Sequence, residues 1–247
     1  MAVDHLVAYQ HGLPPGLRNV PETIKTLVQG KPDAITMYKG MAEHAFAPYA
    51  GRIPLIITSV AFTLDDAIMH QHARPHECMR LGADAISAAI ALRSAREGDY
   101  LKMLAGIVEE AAQYELPVIA HIYPRDFSGE PKVVHDPENI LYAVRVGVEL
   151  GADVIKVPYT GDIESFREII ATSPVPVVAA GGPKANSLLE ALDLMDGAIA
   201  AGASGATIGR NIWGDPDPVA ALEAFKRVIH DRLAPKQAVV RQGAQIH

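Results

Sequence analysis

The sequence is short of cysteine, of aromatic residues and of positive charge, and the first and last of these shortages exclude classes of function. One cysteine, Cys78, occurs in 247 residues, so no disulfide can form within the chain and a reducing compartment suits it. Lysine and arginine number 22 against 29 aspartates and glutamates, a formal net charge of −7. That balance argues against nucleic acid or an anionic membrane as the main partner. No run approaches the roughly 18 consecutive apolar residues of a membrane span. The opening MAVDHLVAYQHG lacks the basic-then-apolar order of a secretory leader. Gly/Ser-rich linkers, low-complexity tracts and charge blocks are also missing, so nothing divides the chain. The expectation is a cytoplasmic protein with no membrane and no nucleic-acid partner.

What is present is a repeating grammar. Short β-rich runs alternate with longer helical patterns: HLVAY (5–9), AITMY (34–38), PLIITSV (54–60), ADAISAAI (83–90), PVIAHIY (117–123), ADVIKVPY (152–159), PVVAAGG (176–182) and SGATIGR (204–210). In HDPENILYAVRVGVELG, Asp136 is placed to cap a helix, Pro137 to occupy its first turn and Gly151 to stop it. Eight βα units of apolar strands predict an α/β fold, a single-domain (βα)8 TIM barrel over residues 1–234 with a C-terminal tail at 235–247. The rival, a doubly wound open sheet, would more often carry a GxGxxG first turn, and YQHGLPPG is not one. In a barrel the chemistry sits at the C-terminal ends of the strands.

One strand breaks the apolar rule. ADVIKVPYTGD (152–162) reads as a buried strand with Lys156 in its middle, and burying an unpartnered ammonium costs several kcal/mol. Alternation puts Val154, Lys156 and Pro158 on one face and Ile155, Val157 and Tyr159 on the other. If the more apolar set packs under helices, Lys156 points into the ring. Burial there would favour the neutral amine that attacks a carbonyl. The plainer alternative is a lysine at the barrel mouth paired with a carboxylate such as Asp162.

The last two strands end in AAGGPK (179–184) and IGRN (208–211). Gly181, Gly182 and Gly209 would let the backbone approach an anion, and Arg210 or Lys184 would add charge, which is where barrels often hold phosphate. Tyr123 and His121 share a face of the fifth strand, and Tyr123 could move protons beside an iminium. Gln10 and His11 end the first candidate strand, where a histidine could exchange protons or bind a hydroxyl. Lys39 offers a second cation at the mouth. His70, His72, His76 and Cys78 match no zinc spacing. They read as a mouth loop and a helix, so no metal or other cofactor is expected.

ADVIKVPYTGD, IYPRD, AAGGPK and GRNIW, in this order, resemble the archaeal-type class I fructose-bisphosphate aldolases and the related aminodideoxyheptulosonate-phosphate synthases. The likeness covers nearly the whole chain. It implies a (βα)8 barrel in a homo-oligomer, a decamer among the forms, and a Schiff-base mechanism. It further implies Lys156 as the Schiff-base lysine, Tyr123 as proton donor and acceptor, and Gly181, Gly182, Gly209 and Arg210 around a substrate phosphate. His121 stands where the aldolases tend to have tryptophan. Family members read Asp-His-Gly at the first strand, and here Gln10-His11-Gly12 is set against that pattern. Glutamine can neither hold charge nor accept a proton, so more of the acid–base work would fall to Tyr123 and His11. The implied reaction is aldol cleavage or formation on a phosphorylated ketose or dihydroxyacetone phosphate. The alternatives are a transferase-type synthase using the same lysine, and a phosphate-binding barrel that forms no Schiff base.

Overall fold

A computed structural model of the protein describes residues 1–5, 12–63 and 65–239. Its centre is a curled sheet. In chain order the strands are β1 (Ile35–Met37), β2 (Leu55–Phe62), β3 (Met69–Gln71), β4 (Ala85–Leu92), β5 (Val118–Asp126), β6 (Lys132–Val133), β7 (Val154–Val157), β8 (Val177–Ala180) and β9 (Gly205–Thr207). Seven of them lie in the order β1-β2-β4-β5-β7-β8-β9, each parallel to the next, with helices between them. The two short extras are antiparallel arms, β3 on β2 and β6 on β5. Helices in every connection explain the parallel order, because a parallel neighbour can be reached only by a crossover.

The helices obey local signals. Asp136 caps Pro137–Glu149 by accepting from Asn139 N–H, Pro137 occupies the first turn, and Gly151 follows with φ of +79°, a left-handed turn that glycine adopts without strain. Gly147 on that helix lies against Ile155 and Ile122 at distances that leave no room for a side chain. The odd residues of β7 therefore pack beneath a helix, and Lys156 faces the inside of the sheet.

The two edges of the sheet are joined by the N-terminal segment. Val3 N–H donates to Thr36 O at 2.9 Å, Thr36 N–H donates to Met1 O at 2.8 Å, and Ala2 N–H donates to Ile208 O at 2.9 Å. Ala2 pairs with Thr36 as an isolated parallel bridge. Among the described residues the joining backbone is residues 1–3, ahead of the expected run 5–9, of which residues 6–9 fall outside the described residues. Gln10 and His11 fall outside them too.

The helix Pro75–Arg80 takes up the His76/Cys78 stretch, with Cys78 buried. Among the described residues, no group of three His, Cys, Asp or Glu is placed to hold a metal, and no helix is long and apolar enough to cross a membrane. Pro235–Ala238 forms a helical turn, fixed by Arg227 donating to Ala238 O at 2.8 Å.

Candidate active site

At the C-terminal ends of the strands lies a cavity of about 310 Å³. Lys156 lines it and is 6 % exposed. Ladder pairing sets His121 directly beside Lys156 on β5 and Val178 on the other side. His121 and Tyr123, two residues apart, both line the cavity, as strand alternation requires. Ala89 faces His121 across the ladder, and its small side chain leaves the imidazole room.

Burial, reinforced by the Lys156 charge, holds His121 well below the usual histidine range, so it is neutral at neutral pH. Burial, then the nearby Asp4 carboxylate, pushes the Tyr123 phenol upward. It keeps its proton and is ready to donate it.

Sequence reasoning missed two residues here. Asp4 and His5 line the same cavity. Thr58 on β2 donates to Asp4 Oδ2 at 2.8 Å and is itself 3.1 Å from Ser87 Oγ, so buried hydroxyls fix the carboxylate. Burial pushes His5 down to about 4, with Arg210 and Lys156 adding to that against the pull of Asp4. Asp4, Arg210 and Lys156 are thus each within electrostatic reach of His5. The cavity thus has a carboxylate, Asp4, in the dipeptide Asp4-His5, whereas Gln10, expected in place of the family's first-strand acid, lies outside the described residues.

Gly181, Gly182, Gly209 and Arg210 all line the cavity, but they do different things. Gly181 N–H is spent on Thr207 O at 3.0 Å, and a Cβ there would stand 2.9 Å from Ile208 Cα. Its role is close packing of β8 on β9. Arg210 Nη2 donates to Gly182 O at 2.8 Å, which holds the guanidinium at the rim. Asn211, also missed, is buried. Its amide nitrogen donates to Gly181 O and Pro183 O, both at 2.9 Å, and its oxygen accepts from Ala185 N–H at 2.8 Å. One side chain thereby sets the path of the 181–185 loop.

Two expected cations are elsewhere. Lys39 starts the helix Lys39–Ala45 and pairs with Glu77 at 2.8 Å, because the carboxylate beside it is a better partner than the cavity. Lys184 is exposed. Neither is among the residues lining the cavity.

Residues 1–215 match the model of the DeoC/LacD family aldolases. The chain belongs to that family. As a DeoC/LacD aldolase it is 34% identical over 204 residues to the 2-amino-4,5-dihydroxy-6-oxo-7-(phosphonooxy)heptanoate synthase of Streptomyces griseus, covering 81% of this chain and 73% of that one. It is 33% identical over 230 residues to the 2-amino-3,7-dideoxy-D-threo-hept-6-ulosonate synthase of Halobacterium salinarum, covering 92% and 85%. Its fold superposes with a TM-score of 0.81 on an archaeal fructose-1,6-bisphosphate aldolase whose catalytic lysine is covalently bound to the carbinolamine intermediate. That structure is 29% identical, with 93% of this chain and 92% of that one covered. In this DeoC/LacD aldolase the described lysine that lines the cavity is Lys156.

Proposed function

We propose that the protein is a class I aldolase that joins or cleaves a carbon–carbon bond next to the ketone of a phosphorylated substrate, with Lys156 as the Schiff-base nucleophile. The observation that carries the reading is a lysine amine buried on a cavity wall beside a neutral imidazole, a protonated phenol and a carboxylate. Closure of the sheet into a complete eight-strand barrel, a homo-oligomeric assembly and a cytoplasmic location belong to the same proposal. The N-terminal bridge between the sheet edges supports the first of these.

Two product skeletons point to one donor. A 4,5-dihydroxy-6-oxo-7-phosphonooxy chain is assembled by joining C5 of a dihydroxyacetone phosphate unit to an aldehyde carbon, C4. Fructose 1,6-bisphosphate is assembled the same way at C3 and C4. In our reading dihydroxyacetone phosphate binds with its phosphate against Arg210 and the backbone of Gly182 and Gly209. Binding energy at that anion orients the ketone toward β7.

The Lys156 amine adds to the ketone carbon, and the carbinolamine loses water to give an iminium. The iminium withdraws electrons, so the neighbouring hydroxymethylene carbon gives up a proton to the Asp4 carboxylate, which later returns it to Tyr123, and an enamine forms. That carbon attacks the aldehyde, whose oxygen takes a proton from Tyr123. Water then returns to the iminium, releasing product and the free amine. Asp4, fixed by Thr58, stands by Tyr123 and can relay the protons of the carbinolamine steps. Every step named uses side chains of this chain.

The test is borohydride reduction in the presence of dihydroxyacetone phosphate, followed by intact mass and peptide mapping. The expected result is one reduced adduct on Lys156, absent in Lys156→Ala. Phosphate binding without any adduct would instead make the protein a phosphate-binding relative.

A further inference from the structure

Above the β5 and β7 ends stands an arm that the aldol chemistry just described does not use. β6 pairs antiparallel with β5, Val133 opposite Arg125 and Lys132 opposite Asp126. Val134 N–H donates to Pro124 O at 2.9 Å, and Lys132 reaches Asp126 at 3.5 Å. The far side is tied down by His135, whose Nδ1 lies 2.9 Å from Tyr159 O. A carbonyl oxygen only accepts, so Nδ1 carries the proton, and in the neutral ring Nε2 is left as an acceptor. Val133, His135 and Tyr159 all line the cavity.

The strand order gives the arm a direction. Arg210 and Gly182 lie at the β9 and β8 ends, Lys156 on β7 and Tyr123 on β5. A donor anchored at its phosphate and bound to Lys156 therefore presents its reacting carbon toward β5. An acceptor aldehyde beyond it would meet the wall formed by Tyr123, Phe62, Val133 and His135. Among the described residues lining the cavity, Lys156 and Arg210 are the two lysine or arginine side chains, and both serve the donor.

We infer that His135 is a specificity-determining residue for the acceptor: its Nε2 accepts a hydrogen bond from the aldehyde's own donor group, a hydroxyl or an ammonium, and the acceptor carries no phosphate. This rests on the aldolase reading above.

The experiment measures KM and kcat with dihydroxyacetone phosphate and four acceptors, namely glyceraldehyde, 2-amino-4-oxobutanoate, propanal and glyceraldehyde 3-phosphate. It compares wild type, His135→Leu and His135→Gln. Losing one neutral hydrogen bond should raise KM for the two donor-bearing, unphosphorylated acceptors roughly three- to tenfold in His135→Leu. Propanal should be unaffected, and Gln, with an amide oxygen to accept, should recover part of the loss. Wild type should use glyceraldehyde better than its phosphate. An equal rise for propanal, no rise at all, or preference for the phosphorylated aldehyde overturns the inference. Borohydride trapping on the same samples separates the two readings. A normal Lys156 adduct with no acceptor discrimination sinks the His135 assignment alone, and no adduct in wild type sinks the aldolase reading beneath it.

Discussion

Gly209→Ala tests how the N-terminal segment is held at the site. A Cβ at Gly209 would stand 2.8 Å from Ala2 O, 2.8 Å from His5 Cε1 and 3.1 Å from Trp213 Nε1. Comfortable carbon contacts begin near 3.5 Å, so the methyl falls short by about 0.7 Å against His5. Two of these neighbours are backbone and a ring pinned on both sides, since Trp213 Nε1 donates to Ala2 O at 3.0 Å and packs edge-on against His5. The segment must move outward, and such overpacking costs about 1–3 kcal/mol. Stretching the indole bond adds about 1 kcal/mol. For a chain of this size a total of about 2–4 kcal/mol lowers Tm by roughly 5–15 °C. Because the displaced segment carries Asp4 and His5, kcat should fall along with stability. Thermal unfolding by circular dichroism reads the first effect and aldol turnover the second. Gly106→Ala is the control: no atom lies within 4 Å of its Cβ, and in mid-helix alanine should stabilise by about 0.5–1 kcal/mol. A Gly209→Ala protein with wild-type Tm and turnover would refute the claim that residues 1–5 are locked against this glycine.

Tyr123→Phe removes the phenol that donates to the aldehyde oxygen and should lower kcat by about 10²–10⁴, with the borohydride adduct on Lys156 still forming. Arg210→Ala should raise KM for dihydroxyacetone phosphate roughly ten- to hundredfold, while Lys184→Ala, outside the cavity, should change it little. Stability should also depend on pH in a definite sense. His5 at about 4 and His121, also depressed, are neutral when folded, whereas unfolded histidine titrates near about 6.5. Below that pH the unfolded chain binds more protons. Stability is therefore complete above about 6.5 and falls on acidification toward 4, by up to about 1.4 kcal/mol per pH unit for each histidine. Urea titrations of His121→Gln at pH 5 and pH 7 should show a reduced difference.

The helix-flanked strands were legible because each is a continuous apolar run between turn residues, and because Asp136, Pro137 and Gly151 mark one helix at both ends. Lys156 was legible for the opposite reason, as a charge in a strand whose alternate residues are apolar. The gathering of Lys156, His121, Tyr123 and Arg210 around one cavity follows once the strands are parallel and their C-terminal ends coincide. The short N-terminal stave was not legible. It is one bridge held by three hydrogen bonds, too short for any periodicity to show, and the alternating HLVAY beside it drew the register later. Asp4 and His5, which the fold brings to the cavity, therefore escaped notice, while Gln10 and His11 lie outside the described residues. Lys39 was misplaced for a different reason. Position along a strand locates its Cα, but Glu77, 38 residues away, decides where the ammonium goes. Asn211 was hidden because its three loop contacts, to Gly181, Pro183 and Ala185, join two segments that only the fold brings together. The sequence thus reveals a site residue where it violates its element's pattern, as Lys156 does. It conceals one whose placement is set by a partner distant along the chain, and Asp4, held by Thr58 from 54 residues away, is the instance at this cavity.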